Sequence, residues 1–174
     1  MKLLLSRPFY VFAILASIRS GCAVPAVPLS GLESEGHSVC DPSASGPSLS
    51  TQQSAAFKDY IHIFFEERDV QKAFDRYIPG EYINHISTAA SQGREAALTG
   101  LLALQANPDM MRDHVTLFTG DGFGLAYYRR YIPGSSTVNF AVMDKMRFEG
   151  TCIVEIWSLF QTINGNETNP IAFF

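Results

Sequence analysis

The pattern of hydrophobic and polar positions changes once along the chain. Between residues 51 and 107 apolar residues recur at offsets of three and four, the spacing of one buried helical face. Phe57, Tyr60 and Phe64 show this spacing clearly, and they are predicted to form core first and a pocket wall second. From His114 onward polar and apolar residues alternate, as is typical of strands with one buried face.

This pattern predicts three helices followed by four strands. The helices begin near Thr51, after a capping Asp69 and at Gly93-Arg94. The strands are predicted at His114–Thr119, Phe123–Ile132, Val138–Arg147 and Cys152–Gln161. Helices that precede a run of neighbouring strands indicate the α+β class, with the helices packed on an antiparallel sheet.

The first 23 residues are predicted to be a signal peptide. Lys2 and Arg7 supply positive charge, and the apolar run Phe9–Ile18 is about ten residues long, whereas a bilayer needs about 20. Small residues allow cleavage after Ala23 or Ala26. An uncleaved N-terminal anchor is the alternative, but Arg7 interrupts the longer apolar stretch. The chain is therefore expected to be secreted or to enter the secretory lumen, without stable membrane insertion.

Composition divides the rest of the chain into a linker and one domain. Residues 24–50 are rich in Ser, Gly and Pro, so they bury too little apolar surface to offset their ordering entropy and are predicted to be disordered. Residues 51–174 form the predicted domain. The formal net charge is -4 with no basic run, which argues against nucleic-acid binding.

Two features are typical of a secreted protein. Removal of the signal peptide leaves Cys40 and Cys152, an even pair that permits a disulfide, although two unpaired thiols are the alternative. Asn166-Glu167-Thr168 is an N-glycosylation sequon, so Asn166 is predicted to carry a glycan. No cluster of His, Cys and Asp has the spacing of a metal site.

Six short motifs occur in a fixed order along the predicted domain. They are Tyr82-Ile83-Asn84-His85, Gly93-Arg94, Asn107-Pro108, Gly120-Asp121, Asp144 with Arg147, and Glu155-Ile156-Trp157-Ser158 with Gln161. In type and spacing they resemble the motifs of the SnoaL-like polyketide cyclase family, over about residues 54–174. The resemblance implies a nuclear transport factor two-like cone, in which helices cover a curved sheet and enclose one deep pocket.

The resemblance also implies a chemistry. Such proteins catalyse an aldol cyclisation or a related isomerisation without metal or organic cofactor, and the partner here would be a small apolar oxygenated metabolite such as a polyketide or terpenoid. A homodimer is left open. This chain departs from the family pattern at Ile156 and Ser158, which stand where the family has His and the acid/base Asp. Ser cannot accept the substrate proton unaided.

The acid/base pair is therefore predicted to have moved to His85 and Asp144. The other predicted pocket residues are Tyr82, Tyr127, Ile156, Trp157 and Ser158. For each group a structural role is the alternative. His85 would then pack at the helix–sheet junction, Asp144 would pair with Lys145 or Arg147, and Trp157 would belong to the core.

Two functions thus remain open at the level of sequence. The chain is a cofactor-free cyclase or isomerase, or it is a secreted protein that binds a small ligand or a partner without chemistry. The position of two side chains discriminates between them. A catalytic site requires Asp144 or His85 to open into the pocket, whereas a binding protein can have both paired elsewhere.

Overall fold

The computed structural model describes residues 38–169 and 171–174, so the predicted signal peptide and residues 24–37 of the predicted linker lie outside the described residues. The elements are α1 (Leu49–His62), α2 (Val70–Tyr77), β1 (Ile83–Asn84), α3 (Arg94–Gln105), β2 (Met111–Gly120), β3 (Phe123–Tyr131), β4 (Asn139–Glu149) and β5 (Cys152–Thr162). A π-helical segment, Ile63–Glu67, continues α1. The predicted α+β order is confirmed.

The five strands form one curved sheet in the order β1-β5-β4-β3-β2. Neighbours from β2 to β5 are antiparallel, as predicted, but β1 lies parallel to β5, so the sheet is mixed. None of the four predicted strands includes residues 82–85. They form a strand because the backbone of Ile83 and Asn84 pairs with Glu155 and Ile156 of β5.

The helices cover one face of this sheet and bury their apolar stripes against it. Phe57 of α1 has no exposed surface, and its ring packs edge-on against Phe148 of β4. Gly124 of β3 permits this approach, because a Cβ atom there would lie 2.7 Å from the Phe57 ring. Asp69 accepts a hydrogen bond from the Lys72 amide and so caps α2, as its position in the sequence predicts.

The structure differs from the prediction for the second half of the linker. Residues 38–48 have a defined path, and α1 already begins at Leu49. Cys40 is joined to Cys152 by a disulfide, with Cα atoms 5.0 Å apart. The amide of Thr151 also donates to the Asp41 carbonyl. A covalent bond and backbone pairing thus fix a segment whose composition offers little apolar surface.

The close approach between this segment and the β4–β5 turn depends on Gly150. Its φ is +54°, and a Cβ atom there would lie 2.1 Å from the Asp41 carbonyl oxygen. Both the backbone conformation and the contact therefore require glycine. Among residues 38–169 and 171–174, no helix is long and apolar enough to cross a membrane.

Candidate functional site

A cavity of about 300 Å³ lies between the helices and the concave face of the sheet. Its walls are mainly apolar, with Tyr60 and Phe64 from α1, Leu101 from α3 and Ile156 from β5 among them. The charged residues that line it are Arg112, Arg130 and Asp144. An apolar cavity with a few convergent polar groups is the usual form of a small-molecule site.

Asp144 is the acidic group of this cavity and is only 7% exposed. It lies on β4 directly opposite Ser158 of β5, so the two side chains share one face of the sheet. The Ser158 hydroxyl donates to Asp144 Oδ1 at 2.5 Å, and the Tyr128 hydroxyl donates to Oδ2 at 2.9 Å. Two hydroxyls therefore fix the orientation of the carboxyl group.

Burial raises the pKa of Asp144 above its ordinary value. The hydrogen bonds from Ser158 and Tyr128 act in the opposite direction, because they stabilise the carboxylate, and so do the positive charges of Arg130 and Arg112. The raised pKa means that the carboxyl group binds a proton more readily than an exposed aspartate does. This is the direction in which general bases are tuned for work near neutral pH.

Two phenol groups are among the other polar groups of the cavity wall. Tyr82 is 2% exposed and lines the cavity, as predicted, and burial raises its pKa well above the ordinary value. Tyr60 is 1% exposed, and burial raises its pKa as well. Both phenols therefore stay protonated at neutral pH and can donate hydrogen bonds to a ligand oxygen. Ile156 and Ser158 also line the cavity, as predicted.

His85 does not reach the cavity, so the predicted His85–Asp144 pair is wrong. Its amide donates to the Ile156 carbonyl, and its ring stacks on Trp157 with centroids 4.4 Å apart. Nε2 lies 3.1 Å from Glu155 Oε2. Successive side chains of a strand point to opposite faces, so Asn84 turns inward to line the cavity while His85 turns outward.

Trp157 and Tyr127 also lie on the outer face and are not pocket residues. Trp157 alternates with Ile156 and Ser158 along β5, and its ring contacts His85 and the Lys145 ammonium outside the cavity. The Tyr127 hydroxyl donates to the Phe173 carbonyl at 2.9 Å. Its neighbour Tyr128 is the inward tyrosine, in agreement with the expectation that only one of the two can point inward.

An ion pair on the same outer face gives Arg147 of the Asp144–Arg147 motif a structural role. Arg147 Nε donates to Glu155 Oε1 at 2.7 Å, and this interaction lowers the pKa of Glu155. Arg147 therefore pairs with Glu155 rather than with Asp144. Asp144 cannot form a salt bridge with Lys145 or Arg147, because these two residues lie on the opposite face of β4.

Sequence analysis missed two arginines of the cavity wall. Arg130 alternates with Tyr128 and Ala126 along β3, so its position on the inward face could have been found from the period of two. Arg112 was missed because β2 begins at Met111 rather than at the predicted His114. In the described part of the chain, no group of three or more His, Cys, Asp or Glu side chains could hold a metal ion.

Comparison of the sequence with protein-family profiles and with curated proteins finds no match. Solved structures do match. An NTF2-like protein of unknown function from Mesorhizobium loti has a TM-score of 0.54 at 15% identity, over 68% of this chain and 98% of that one. A candidate polyketide cyclase from Acidithiobacillus ferrooxidans has a TM-score of 0.51 at 18% identity, over 66% of this chain and 92% of that one.

A third similar structure comes from a different functional class. A candidate hydroxylase from Streptomyces galilaeus has a TM-score of 0.51 at 12% identity, over 66% of this chain and 82% of that one. The chain thus has the NTF2-like cone fold, as the resemblance implied. Candidate cyclases and a candidate hydroxylase share that fold, so the activity has to be argued from the cavity itself.

Proposed function

We propose that the protein is a cofactor-free acid/base enzyme, a cyclase or isomerase that acts on a small oxygenated metabolite such as a polyketide or terpenoid. One observation carries the proposal. The buried carboxyl group of Asp144 lines an apolar cavity, and its pKa is raised by burial. Such a carboxylate is poorly solvated and therefore a stronger base than an exposed aspartate.

The proposed reaction moves a proton next to a carbonyl group. Asp144 takes the proton from the carbon, and the electron pair of the C–H bond forms an enolate. In a cyclase the enolate carbon attacks a second carbonyl carbon and forms the C–C bond, and the resulting alkoxide takes the proton from Asp144, which regenerates the carboxylate. In an isomerase Asp144 returns the proton to a different carbon. The Tyr60 and Tyr82 phenols line the cavity and can donate hydrogen bonds to the enolate oxygen.

Asp144 therefore acts alone as the base, with Ser158 in a supporting role. Ser158 occupies the family's acid/base position, but here its hydroxyl donates to Asp144. The functional carboxyl has thus moved by one strand, from β5 to the directly opposite residue of β4. This arrangement keeps a carboxyl group at nearly the same place in the cavity and is our reason to favour chemistry over binding alone.

Proton abstraction can be tested without knowledge of the natural substrate. 2-Tetralone is an apolar ketone with acidic protons next to its carbonyl group, and its size suits the cavity of about 300 Å³. Incubation with the protein in D₂O should incorporate deuterium at those carbons faster than buffer alone, as measured by proton NMR. Equal rates with and without protein, over a range of related ketones, would support the alternative of a binding protein.

The variant Ser158→Ala should shift the pH dependence of this exchange. The Ser158 hydroxyl lowers the pKa of Asp144, so its loss raises that pKa. Since the ionised carboxylate is the active form, the acidic limb of the pH–rate profile should move to higher pH. Leu159→Ala is the matched control, because Leu159 is 70% exposed on the same strand. An unmoved acidic limb in Ser158→Ala would remove Asp144 from the mechanism.

We also propose that the protein works outside the cytosol. The Cys40–Cys152 disulfide supports this, because disulfides persist in oxidising compartments. Asn166 is exposed in the segment after β5, where a glycosyltransferase can reach it. N-terminal sequencing of the exported protein should give a start after Ala23 or Ala26. A product that begins at Met1 and stays in the cytosol would contradict the proposal.

A further inference from the structure

We propose that the ligand of this cavity is an organic carboxylate whose charged group is bound between Arg112 and Arg130. The inference rests on the proposed small-molecule function of the cavity and names the chemical class that it accepts. It does not require that the ligand undergo chemistry.

The two arginines form a like-charged pair across neighbouring strands. Arg112 of β2 and Arg130 of β3 are directly opposite each other in the register of the sheet. Both line the cavity, so both side chains lie on the concave face. Directly opposite residues have Cβ atoms about 5 Å apart, and like charges in this arrangement destabilise a sheet. Such repulsion between two arginines is expected at a site where a bound anion offsets it.

No anionic side chain within the described residues forms a salt bridge with either arginine. Four other arginines form salt bridges, namely Arg76, Arg94, Arg129 and Arg147. In the described part of the chain, a carboxylate lies within 4.0 Å of neither Arg112 nor Arg130. Arg112 Nη1 donates to the neutral Gln105 Oε1 at 2.9 Å. The Nε atoms of Arg112 and Arg130 are buried without a hydrogen-bond partner.

Aromatic rings hold the two guanidinium groups in place. Arg112 lies over the Phe65 ring at 4.9 Å from its centroid, and Arg130 lies over the Phe160 ring at 5.0 Å. Stacking of this type fixes the plane of a guanidinium group and leaves its N–H edge free to donate. The pair is therefore held in position by ring contacts and by the Arg112–Gln105 hydrogen bond, while the Nε atoms of both arginines lack a partner.

The charge balance of the cavity favours a monoanion. Two cationic side chains and the carboxyl of Asp144 are the charged groups of the wall, so one positive charge remains when Asp144 is ionised. An arginine fork matches the two oxygens of a carboxylate, and charge-assisted hydrogen bonds of this kind are among the stronger ones in proteins. The apolar remainder of the wall suits a hydrocarbon or aromatic body. A carboxylic acid with such a body satisfies both conditions.

The experiment compares two probes that differ in charge alone. 2-Naphthoate and its neutral amide, 2-naphthamide, have nearly the same shape and suit the cavity of about 300 Å³. Isothermal titration calorimetry with the full protein should show at least tenfold tighter binding of the carboxylate. Arg130→Met keeps the apolar stem and removes the charge, so naphthoate affinity should fall about 10- to 100-fold while naphthamide affinity stays constant. Inorganic phosphate should not compete at equal concentration.

Further variants separate loss of the site from loss of the fold. Arg130→Lys should retain part of the naphthoate preference, and the melting temperature of each variant without ligand is checked to be no lower than that of the wild type. Asp144→Asn should bind naphthoate at least as well as the wild type, because it removes a negative charge, even though it abolishes exchange. Equal affinities for the two probes, an unchanged naphthoate affinity in both arginine variants, or binding of neither probe would overturn the proposal. Exchange into 2-tetralone would be unaffected by that outcome, so the two proposals fail separately.

Discussion

Asp144→Asn should lower the rate of deuterium exchange into 2-tetralone by about 100- to 10,000-fold, the usual cost of removing one general base. The amide has the shape of the carboxyl group, so it fits the same site between Ser158 and Tyr128. Its oxygen can accept one hydroxyl hydrogen bond, and its NH₂ can donate to the other hydroxyl oxygen. The substitution therefore removes basicity and retains the geometry.

The same variant should be as stable as the wild type or more stable at neutral pH. The folded protein holds the pKa of Asp144 above its ordinary value of 3.8, so ionisation of this group opposes folding. The stabilisation that the protonated Asp144 carboxyl gives the folded protein is complete below the pKa of this group in the unfolded chain. It is lost as the pH rises through the pKa of this group in the folded protein. Urea unfolding at several pH values measures this effect. The free energy of unfolding of Asp144→Asn, relative to that of the wild type, should increase from acid to neutral pH.

His85→Ala serves as the matched control for this experiment. His85 stacks on Trp157 on the outer face of the sheet, so its removal should leave the exchange rate unchanged. Full exchange activity in Asp144→Asn would contradict the proposed base. Loss of both activity and stability in that variant would instead assign Asp144 a structural role. A loss of activity in His85→Ala at constant stability would support the His85–Asp144 acid/base pair, which the geometry argues against.

Removal of the disulfide should lower the free energy of unfolding by about 2–5 kcal/mol. Cys40 and Cys152 are 112 positions apart, and closure of a loop of about 100 residues restricts the unfolded chain by about 4.7 kcal/mol in the chain-entropy description. The change is therefore among the largest expected from two substitutions. Guanidinium chloride unfolding of the double variant Cys40→Ser with Cys152→Ser measures it directly.

Reduction supplies the control for the disulfide experiment. Dithiothreitol should destabilise the wild type to a similar extent and have no further effect on the double variant. Proteolysis of the unreduced wild type should release one linked peptide pair, which mass spectrometry identifies. Complete alkylation of both thiols without prior reduction would show that the bond does not form, and the stability loss should then be absent as well.

The sequence predicted the fold because the pattern of burial is regular over long segments. The change from helical spacing to alternation located the strands to within a few residues, and Cys152 is both the predicted and the observed start of β5. The first strand was not predicted, since Ile83–Asn84 has two residues and no alternation to detect. Its existence depends on pairing with β5, a contact that is distant in sequence.

The site was only half predictable for a related reason. Asp144, Ser158 and Ile156 were placed correctly because alternation along β4 and β5 decides which face they occupy. His85 was misplaced because its face is set by the parallel register of β1 on β5, which the sequence does not encode locally. The motif Tyr82–His85 therefore did not identify which of its residues points inward.

The position of β5 has a consequence for the order in which the nascent chain can fold. Its residues pair with β4, complete the sheet beside β1 and supply one half of the disulfide. During synthesis the helices emerge long before Ile153 and Ile156, which close the core beneath them. The aromatic faces of α1 and α2 therefore stay exposed until β5 is available, because contacts between residues far apart in sequence form late and slowly. The disulfide likewise cannot form before Cys152, 112 positions after Cys40, has been synthesised.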